Sequence, residues 1–177
     1  PLTLLHALLA RAGEVTNVEL LSISTFGDLG LDRTGASDHF FLNTLFVSDN
    51  SRETVNGPAG DYVPIFLSEV PRLFDRGLLP LDAALVQLSP PDRHGYCTLG
   101  ISVDVTRAAV RNARMVIGQI NKRMPRTHGE GQVHIDSLHA YVEVDEPLPQ
   151  VDYAQRIGER ERRIGAHCAA LIEDGST

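Results

Sequence analysis

The fold is decided by the stretch AALVQLSPPDRHGYCTLGISVDVTRAAVRNARMVIGQI at residues 83–120. Its first six residues are an apolar run between prolines, and its last six form a second apolar run, a pattern typical of buried strands. Between the two runs, Asp104 can cap a helix whose alanines and valines make one apolar face. A strand, a helix and a second strand in so short a stretch predict a βαβ unit with parallel strands.

The sequence on both sides of this unit continues the alternation of strands and helices. We predict strands at 18–24, 62–67 and 138–144, while the apolar run 39–47 suits either a strand or a buried helix. The predicted helices are 3–12, a short one that starts with a capping box of Asn50 and Glu53, 68–77, 104–113, and a long one from about Asp152. The apolar stripe of the last helix consists of Ile157, Ile164, Cys168 and Leu171.

Length and composition fit one globular domain and exclude several classes of protein. The chain has 177 residues, 42% of them apolar and 22% charged, and no apolar run approaches the ~18 residues that a membrane span needs. Its 16 basic and 23 acidic residues give a net charge of −7, the wrong sign for a nucleic-acid partner. With two cysteines a disulfide framework is not expected, and a reducing cytoplasm is the simplest location.

Four loops rich in small, polar and proline residues follow predicted strands, at 25–30, 68–71, 89–100 and 121–131. The carboxyl ends of parallel strands share one edge of a sheet, and ligands bind in the crevice outside that edge. We therefore expect a site at this edge. The candidate residues for its wall are Thr25, Phe26, Gly27, Ser68, Glu69, Asn121, Met124, Pro125, Arg126, Thr127 and His128.

The residues of these loops leave several interpretations open. The segment 121–129 combines one fixed cation, Arg126, with several donors, which suits a carboxylate or phosphate group but also a tight surface turn. Cys97 beside His94 could form an activated thiolate, although a buried cysteine is favoured.

Three further candidates are weaker. Glu69 could be a nucleophile, but an acid at a helix N-terminus is better explained by the helix dipole. The spacing of His128, His134 and His139 matches no metal motif, so no metal site is expected. No glycine-rich phosphate loop is present in the sequence.

Several motifs in fixed order resemble one protein family. They are GDYVPI at 60–65 with LSEVP at 67–71, SPPD at 89–92 with HGYC at 94–97 and LG at 99–100, then Asn121 with MPRTHG at 124–129, and finally the stretch 141–148. Together they resemble the N-terminal half of acetyl-CoA hydrolase/transferase proteins, with the 4-hydroxybutyrate CoA-transferase-like members most similar. The resemblance covers nearly the whole chain.

The resemblance implies the class I CoA-transferase fold (NagB/RpiA-like), a three-layer α/β/α domain, and a complete protein of two such halves that face a shared active site. In such enzymes a glutamate attacks an acyl-CoA thioester, passes through an acyl anhydride and becomes a glutamyl-CoA thioester, which an acceptor carboxylate then cleaves. Coenzyme A is thus a substrate and no cofactor is permanently bound. The partners implied are an acyl-CoA, a short-chain carboxylate such as acetate or 4-hydroxybutyrate, and a second copy in a homodimer.

By the same resemblance, the catalytic glutamate and the glycine-rich CoA-binding segment belong to a C-terminal half that would begin just after Thr177. No catalytic residue of this chain matches them, so we expect residues 1–177 to be an N-terminal domain that lacks its first strand and is inactive alone. The alternatives are an acyl-CoA hydrolase, a non-catalytic module that binds an acyl-CoA or a partner domain, and, disfavoured by the motifs, a sugar-phosphate isomerase of related architecture.

Overall fold

The computed structural model describes residues 1–31, 35–150, 152–154 and 157–176. The strands are β1 (Val18–Ser22), β2 (Phe40–Thr44), β3 (Gly60–Tyr62), β4 (Ala83–Leu88), β5 (Tyr96–Thr98), β6 (Met115–Asn121), β7 (Gln132–His134) and β8 (Ala140–Val144). The α-helices are α1 (Leu2–Leu9), α2 (Arg52–Asn56), α3 (Val70–Asp75), α4 (Thr106–Asn112) and α5 (Glu159–Ala169). No helix of the described residues is long and apolar enough to cross a membrane.

The described strands form two parallel three-stranded sheets and one antiparallel pair. The parallel sheets have the orders β1-β2-β3 and β4-β6-β8, and β5 pairs with β7. In the second sheet, β4 lies beside β6 in a register that places Gln87 opposite Gln119. The unit β4-α4-β6 is therefore the predicted βαβ unit, and the predicted α/β class with mostly parallel strands is confirmed.

Helix α4 joins two of the hydrophobic clusters that hold these sheets. One cluster surrounds β4 and β6 and includes Leu88, Cys97 and Leu99, whose side chains have no exposed surface. The other contains Ala108 of α4 together with Phe74 of α3. Partly buried residues of α4 pack against both clusters, and its small side chains allow this close approach. A third cluster fixes α1 to β2.

Several predicted elements differ from the structure in extent or in capping, and one ambiguous run is resolved. The strand predicted at 62–67 was wrong for most of its length, because the ladder ends where Val63 donates to Thr44 and Pro64 has no N–H to continue it. The ambiguous run 39–47 contains a strand. The capping box at Asn50 was wrong, since Ser51 is the N-cap of α2. Helix α5 begins at Glu159 and is shorter than predicted.

Candidate functional site

The carboxyl edge of the sheet β4-β6-β8 carries a buried polar cluster. Gln119 and Asn121 near the end of β6 are each 1% exposed, Gln87 of β4 is half-buried, and Glu146 follows β8. Buried amides and carboxylates are costly unless they are hydrogen-bonded. We therefore expect the polar groups of this cluster to have hydrogen-bond partners, and these partners show which segments the cluster joins.

Glu146 fixes the first turn of α1 to this edge. Its two carboxylate oxygens accept hydrogen bonds from Thr3 Oγ1 at 2.7 and 2.8 Å. The Nε2 amide of Gln119 donates to Glu146 Oε2 and to Gln87 Oε1, each at 3.3 Å. In turn, Gln119 Oε1 accepts the Leu4 N–H at 3.4 Å. The start of α1 is thus tied to β4, β6 and the segment after β8 by one network of side chains.

Asn121 holds two backbone segments together at the same edge. Its Oδ1 accepts the backbone N–H groups of Arg123, at 3.0 Å, and Glu146, at 3.2 Å, while its Nδ2 donates to the carbonyl of Glu146 at 2.9 Å. This predicted site residue therefore joins the turn after β6 to the segment after β8. It positions Glu146 as well as lying at the expected edge.

The contact between Thr3 and Glu146 is testable by a double-mutant cycle. Thr3→Val keeps the β-branched shape and Glu146→Gln keeps the volume, so each change mainly weakens the hydrogen bonds. We expect each variant to lower the free energy of unfolding in urea by about 1–2 kcal/mol, with a coupling energy of about 1 kcal/mol. Thr16→Val, at an exposed site, is the control and should change little. Additive effects of the two substitutions would contradict a direct interaction.

The turn after β6 packs against the turn between β4 and β5. Arg126 donates through Nη1 to the carbonyl of Tyr96 at 2.9 Å and through Nη2 to Asp92 Oδ2 at 2.8 Å. The other oxygen of Asp92 accepts the N–H groups of Tyr96 and His94, both at 2.9 Å. The guanidinium of Arg126, the cation of this predicted site, is therefore already hydrogen-bonded within the chain.

Asp92 gives this pair of turns a pH dependence. The Tyr96 N–H, followed by the His94 N–H and the charge of Arg126, holds the pKa of the Asp92 carboxyl below its ordinary value. Its stabilising effect is present above the unfolded pKa of about 3.9 and is lost as the pH falls through the lower folded pKa. We expect the free energy of unfolding to fall less steeply below pH ~4 in Asp92→Asn than in the wild type, as measured by urea unfolding across that range. Parallel curves would contradict this.

The remaining residues of the turn are divided between core and surface. Met124 is buried over Gly100, and Thr127 donates through Oγ1 to the Gly100 carbonyl at 3.1 Å. Pro125 and His128 are exposed. Cys97, in the adjoining strand β5, has no exposed surface, and burial raises the pKa of its thiol. The favoured interpretation of Cys97 as a buried cysteine is confirmed.

The predicted loop 25–27 also lies close to the start of α1. Asn50 donates through Nδ2 to the carbonyls of Thr25 and Gly27, at 2.5 and 2.7 Å, and so joins the loops after β1 and β2. Gly27 has a φ of +99°, and a Cβ there would lie 2.6 Å from Cδ1 of Leu2. The first turn of α1 therefore touches both loop 25–27 and the cluster of Gln119 and Glu146. Phe26 is 57% exposed beside it.

Ser68 and Glu69 lie apart from these residues in the hydrogen-bond network. Both are exposed, and Glu69 is the N-cap of α3 without a side-chain capping bond. The ring of His134 donates to the His94 carbonyl, and His139 Nδ1 accepts the Val116 N–H. Among the described residues, no group of three or more histidine, cysteine or acidic side chains could hold a metal ion.

Sequence reasoning missed Gln87, Gln119 and Glu146, as well as the roles of Thr3 and Asn50. One signal was available for the two glutamines. Each is a polar residue near the carboxyl end of an apolar strand, second from last in AALVQL and in MVIGQI, and the two face each other across the ladder. The contact of Thr3 with Glu146 spans 143 positions of sequence and has no local signal.

Comparison with solved structures places this α/β domain in the CoA-transferase-like fold class. It superposes on RipA from Yersinia pestis with a TM-score of 0.89 at 28% identity, over 99% of this chain and 43% of that one. It superposes on 4-hydroxybutyrate CoA-transferase from Porphyromonas gingivalis with a TM-score of 0.67 at 29% identity, over 98% of this chain and 46% of that one.

The sequence defines the family more narrowly. Residues 1–155 match the acetyl-CoA hydrolase/transferase N-terminal domain, and the chain belongs to this family. It is 39% identical to the 4-hydroxybutyrate coenzyme A transferase of Clostridium kluyveri over 100% of this chain and 41% of the relative. It is also 39% identical to a succinyl-CoA:acetate/propanoyl-CoA:succinate CoA transferase of Fasciola hepatica, over 91% of this chain and 33% of the relative. The chain thus spans less than half the length of these relatives, and the resemblance inferred from its motifs is confirmed.

Proposed function

We propose that this chain is the N-terminal half of a CoA-transferase that moves CoA between a short-chain acyl-CoA and a carboxylic acid such as acetate or 4-hydroxybutyrate. The observation that carries the proposal is the 39% identity, along the entire chain, to the 4-hydroxybutyrate coenzyme A transferase of Clostridium kluyveri. The other relatives compared are also named as CoA transferases. The full proposal includes a homodimer in the cytoplasm and no permanently bound cofactor.

In the proposed reaction, a glutamate of the C-terminal half attacks the acyl-CoA carbonyl, and the thioester bond to CoA breaks. CoA thiolate then attacks the glutamyl carbonyl of the resulting anhydride, which releases the acyl group as a carboxylate and leaves a glutamyl-CoA thioester. The acceptor carboxylate cleaves this thioester by the reverse sequence. Each step conserves charge, since one anion enters as another leaves.

The geometry of this chain supports a role as one wall of such a site. Two acids at the candidate edge are engaged, Glu146 by Thr3 and Gln119, and Asp92 by Arg126. Neither carboxylate is free to act as a nucleophile without breaking these bonds. The loop 25–27, the segment 121–128, and Ser68 with Glu69 remain the candidate wall residues, and the residues that would react with the thioester lie outside residues 1–177 in this proposal.

Hydrolysis is the second candidate activity, because the matched family includes acetyl-CoA hydrolases as well as transferases. The two activities share the enzyme thioester and differ in whether water or a carboxylate reaches it. A non-catalytic module that binds an acyl-CoA is the third possibility. Which acid accepts CoA depends on both halves of the cleft.

The test is to trap the enzyme thioester in the full-length protein. The protein is incubated with acetyl-CoA, treated with borohydride or hydroxylamine, digested and mapped by mass spectrometry. We expect one modified glutamate, located outside residues 1–177, and formation of 4-hydroxybutyryl-CoA when 4-hydroxybutyrate is added. Release of free CoA in water alone at a comparable rate would favour the hydrolase. A modified Glu69, or no modified residue, would overturn the proposed mechanism.

A further inference from the structure

Helix α5 is an amphipathic helix whose apolar face is uncovered. Every described residue from Ile157 to Ser176 is exposed, so α5 buries none of its side chains. Ile164 and Cys168 lie four residues apart on α5, Leu171 follows three residues later just past the C-cap Ala170, and Ile157 lies just before the extended N-cap Gly158. Leu171 is 85% exposed and Ile164 is 56% exposed.

Such a helix needs a partner for physical reasons. An isolated helix of 11 residues is marginal in water, and most helices in proteins are stabilised by packing one apolar face. The opposite face of α5 carries Glu159 and Arg162, which suit contact with solvent. The apolar stripe is therefore the side of the helix that gains from being covered.

Three comparisons point to what covers it. The family match ends at residue 155, so α5 lies beyond the N-terminal domain proper. The alignment with the Clostridium kluyveri relative includes α5 yet accounts for only 41% of that protein. The superposition on RipA also includes α5, over 99% of this chain, and leaves more than half of RipA outside the match. An outlying α5 is thus shared with proteins that have a large further segment of chain.

We propose that the stripe of Ile164, Cys168 and Leu171, together with Ile157 just before the helix, is the docking face for the C-terminal half of the same polypeptide. The inference rests on the two-half protein of the proposed function, but not on its chemistry. It makes α5 the first element of the interface between the halves. Docking would bury the stripe and leave Glu159 and Arg162 in solvent.

Cys168 reports directly on this face, because it lies within the stripe and the other cysteine of these 177 residues, Cys97, is buried. The full-length protein is alkylated with iodoacetamide in its native state and in urea, and the Cys168 peptide is quantified by mass spectrometry. We expect alkylation of Cys168 to be at least about tenfold slower in the native protein than in urea. Equal rates in the two states would overturn the proposal, as would an intact mass showing that the polypeptide ends at Thr177.

Two matched variants separate docking from general destabilisation. Ile164→Asp places a charge in the stripe, and Ala166→Asp places the same charge on the opposite face of the same helix. We expect Ile164→Asp to raise native alkylation of Cys168 by about tenfold or more, and Ala166→Asp to leave it nearly unchanged. Equal effects of the two substitutions on the alkylation of Cys168 would contradict the proposed docking face. Protection of Cys168 that increases with protein concentration would contradict the proposed occupant and indicate a second copy of the protein instead. A protein that lacks transferase activity but still protects Cys168 would contradict only the proposed function.

Discussion

The 177-residue chain, assayed alone for CoA transfer from acetyl-CoA to 4-hydroxybutyrate, is expected to be at least about 10⁴-fold less active than the full-length protein. Covalent catalysis by a carboxylate cannot proceed without the reactive carboxylate, and in this chain Glu146 is held by Thr3 and Gln119, and Asp92 by Arg126. The measurement is release of the product acyl-CoA, followed by chromatography. Circular dichroism must first show that the chain is folded.

Two controls make the loss of activity interpretable. Adding the separately produced C-terminal half should restore part of the activity if the two halves form one cleft. In the full-length protein, Glu69→Gln keeps the volume of this candidate wall residue and removes its carboxylate, so it should change the rate of transfer but still give the trapped glutamyl-CoA adduct. Transfer by the isolated chain, or loss of the trapped adduct in Glu69→Gln, would place the nucleophile within residues 1–177.

The central βαβ unit was predictable because its signals are local. Prolines limit the run 83–88, the helix between the strands has a regular apolar face, and both strands are buried as their composition indicates. Strand β3 was not predictable in the same way. Its length depends on pairing with β2, which ends at Thr44, and the apolar residues after Tyr62 do not form part of that ladder.

The loops at the carboxyl edges of the sheets were predictable, but the side chains that meet there were not. Parallel strands bring loops 25–30 and 121–131 to carboxyl edges whatever their side chains do. The contacts at that edge depend on strand register and on the first turn of α1. Gln87 meets Gln119 only because β4 and β6 pair in one particular register, and that register is a property of the folded sheet.

The turn that carries the segment 121–128 depends on one glycine, and its replacement should have the second large effect. Gly100 has a φ of +60°, and a Cβ there would overlap Sδ and Cγ of Met124 and lie 3.2 Å from the Pro125 carbonyl oxygen. Gly129 also has a positive φ, +96°, but a Cβ there would meet no atom within 4 Å. The two glycines therefore share the backbone strain of a substitution and differ in the packing around it.

We expect Gly100→Ala to lower the free energy of unfolding by about 3 kcal/mol, the sum of about 1–2 kcal/mol for the left-handed backbone and a similar cost for displacing buried Met124. Gly129→Ala should lower the free energy of unfolding only by the cost of the left-handed backbone, about 1–2 kcal/mol. In the double variant Gly100→Ala with Met124→Ala, the overlapping atoms are gone, so the combined cost should be clearly smaller than the sum of the two single variants. The free energies of unfolding of the wild type, the three single variants and the double variant are measured by urea unfolding. Equal costs at the two glycines, together with additive effects of Gly100→Ala and Met124→Ala, would mean that Met124 does not pack over Gly100 in solution.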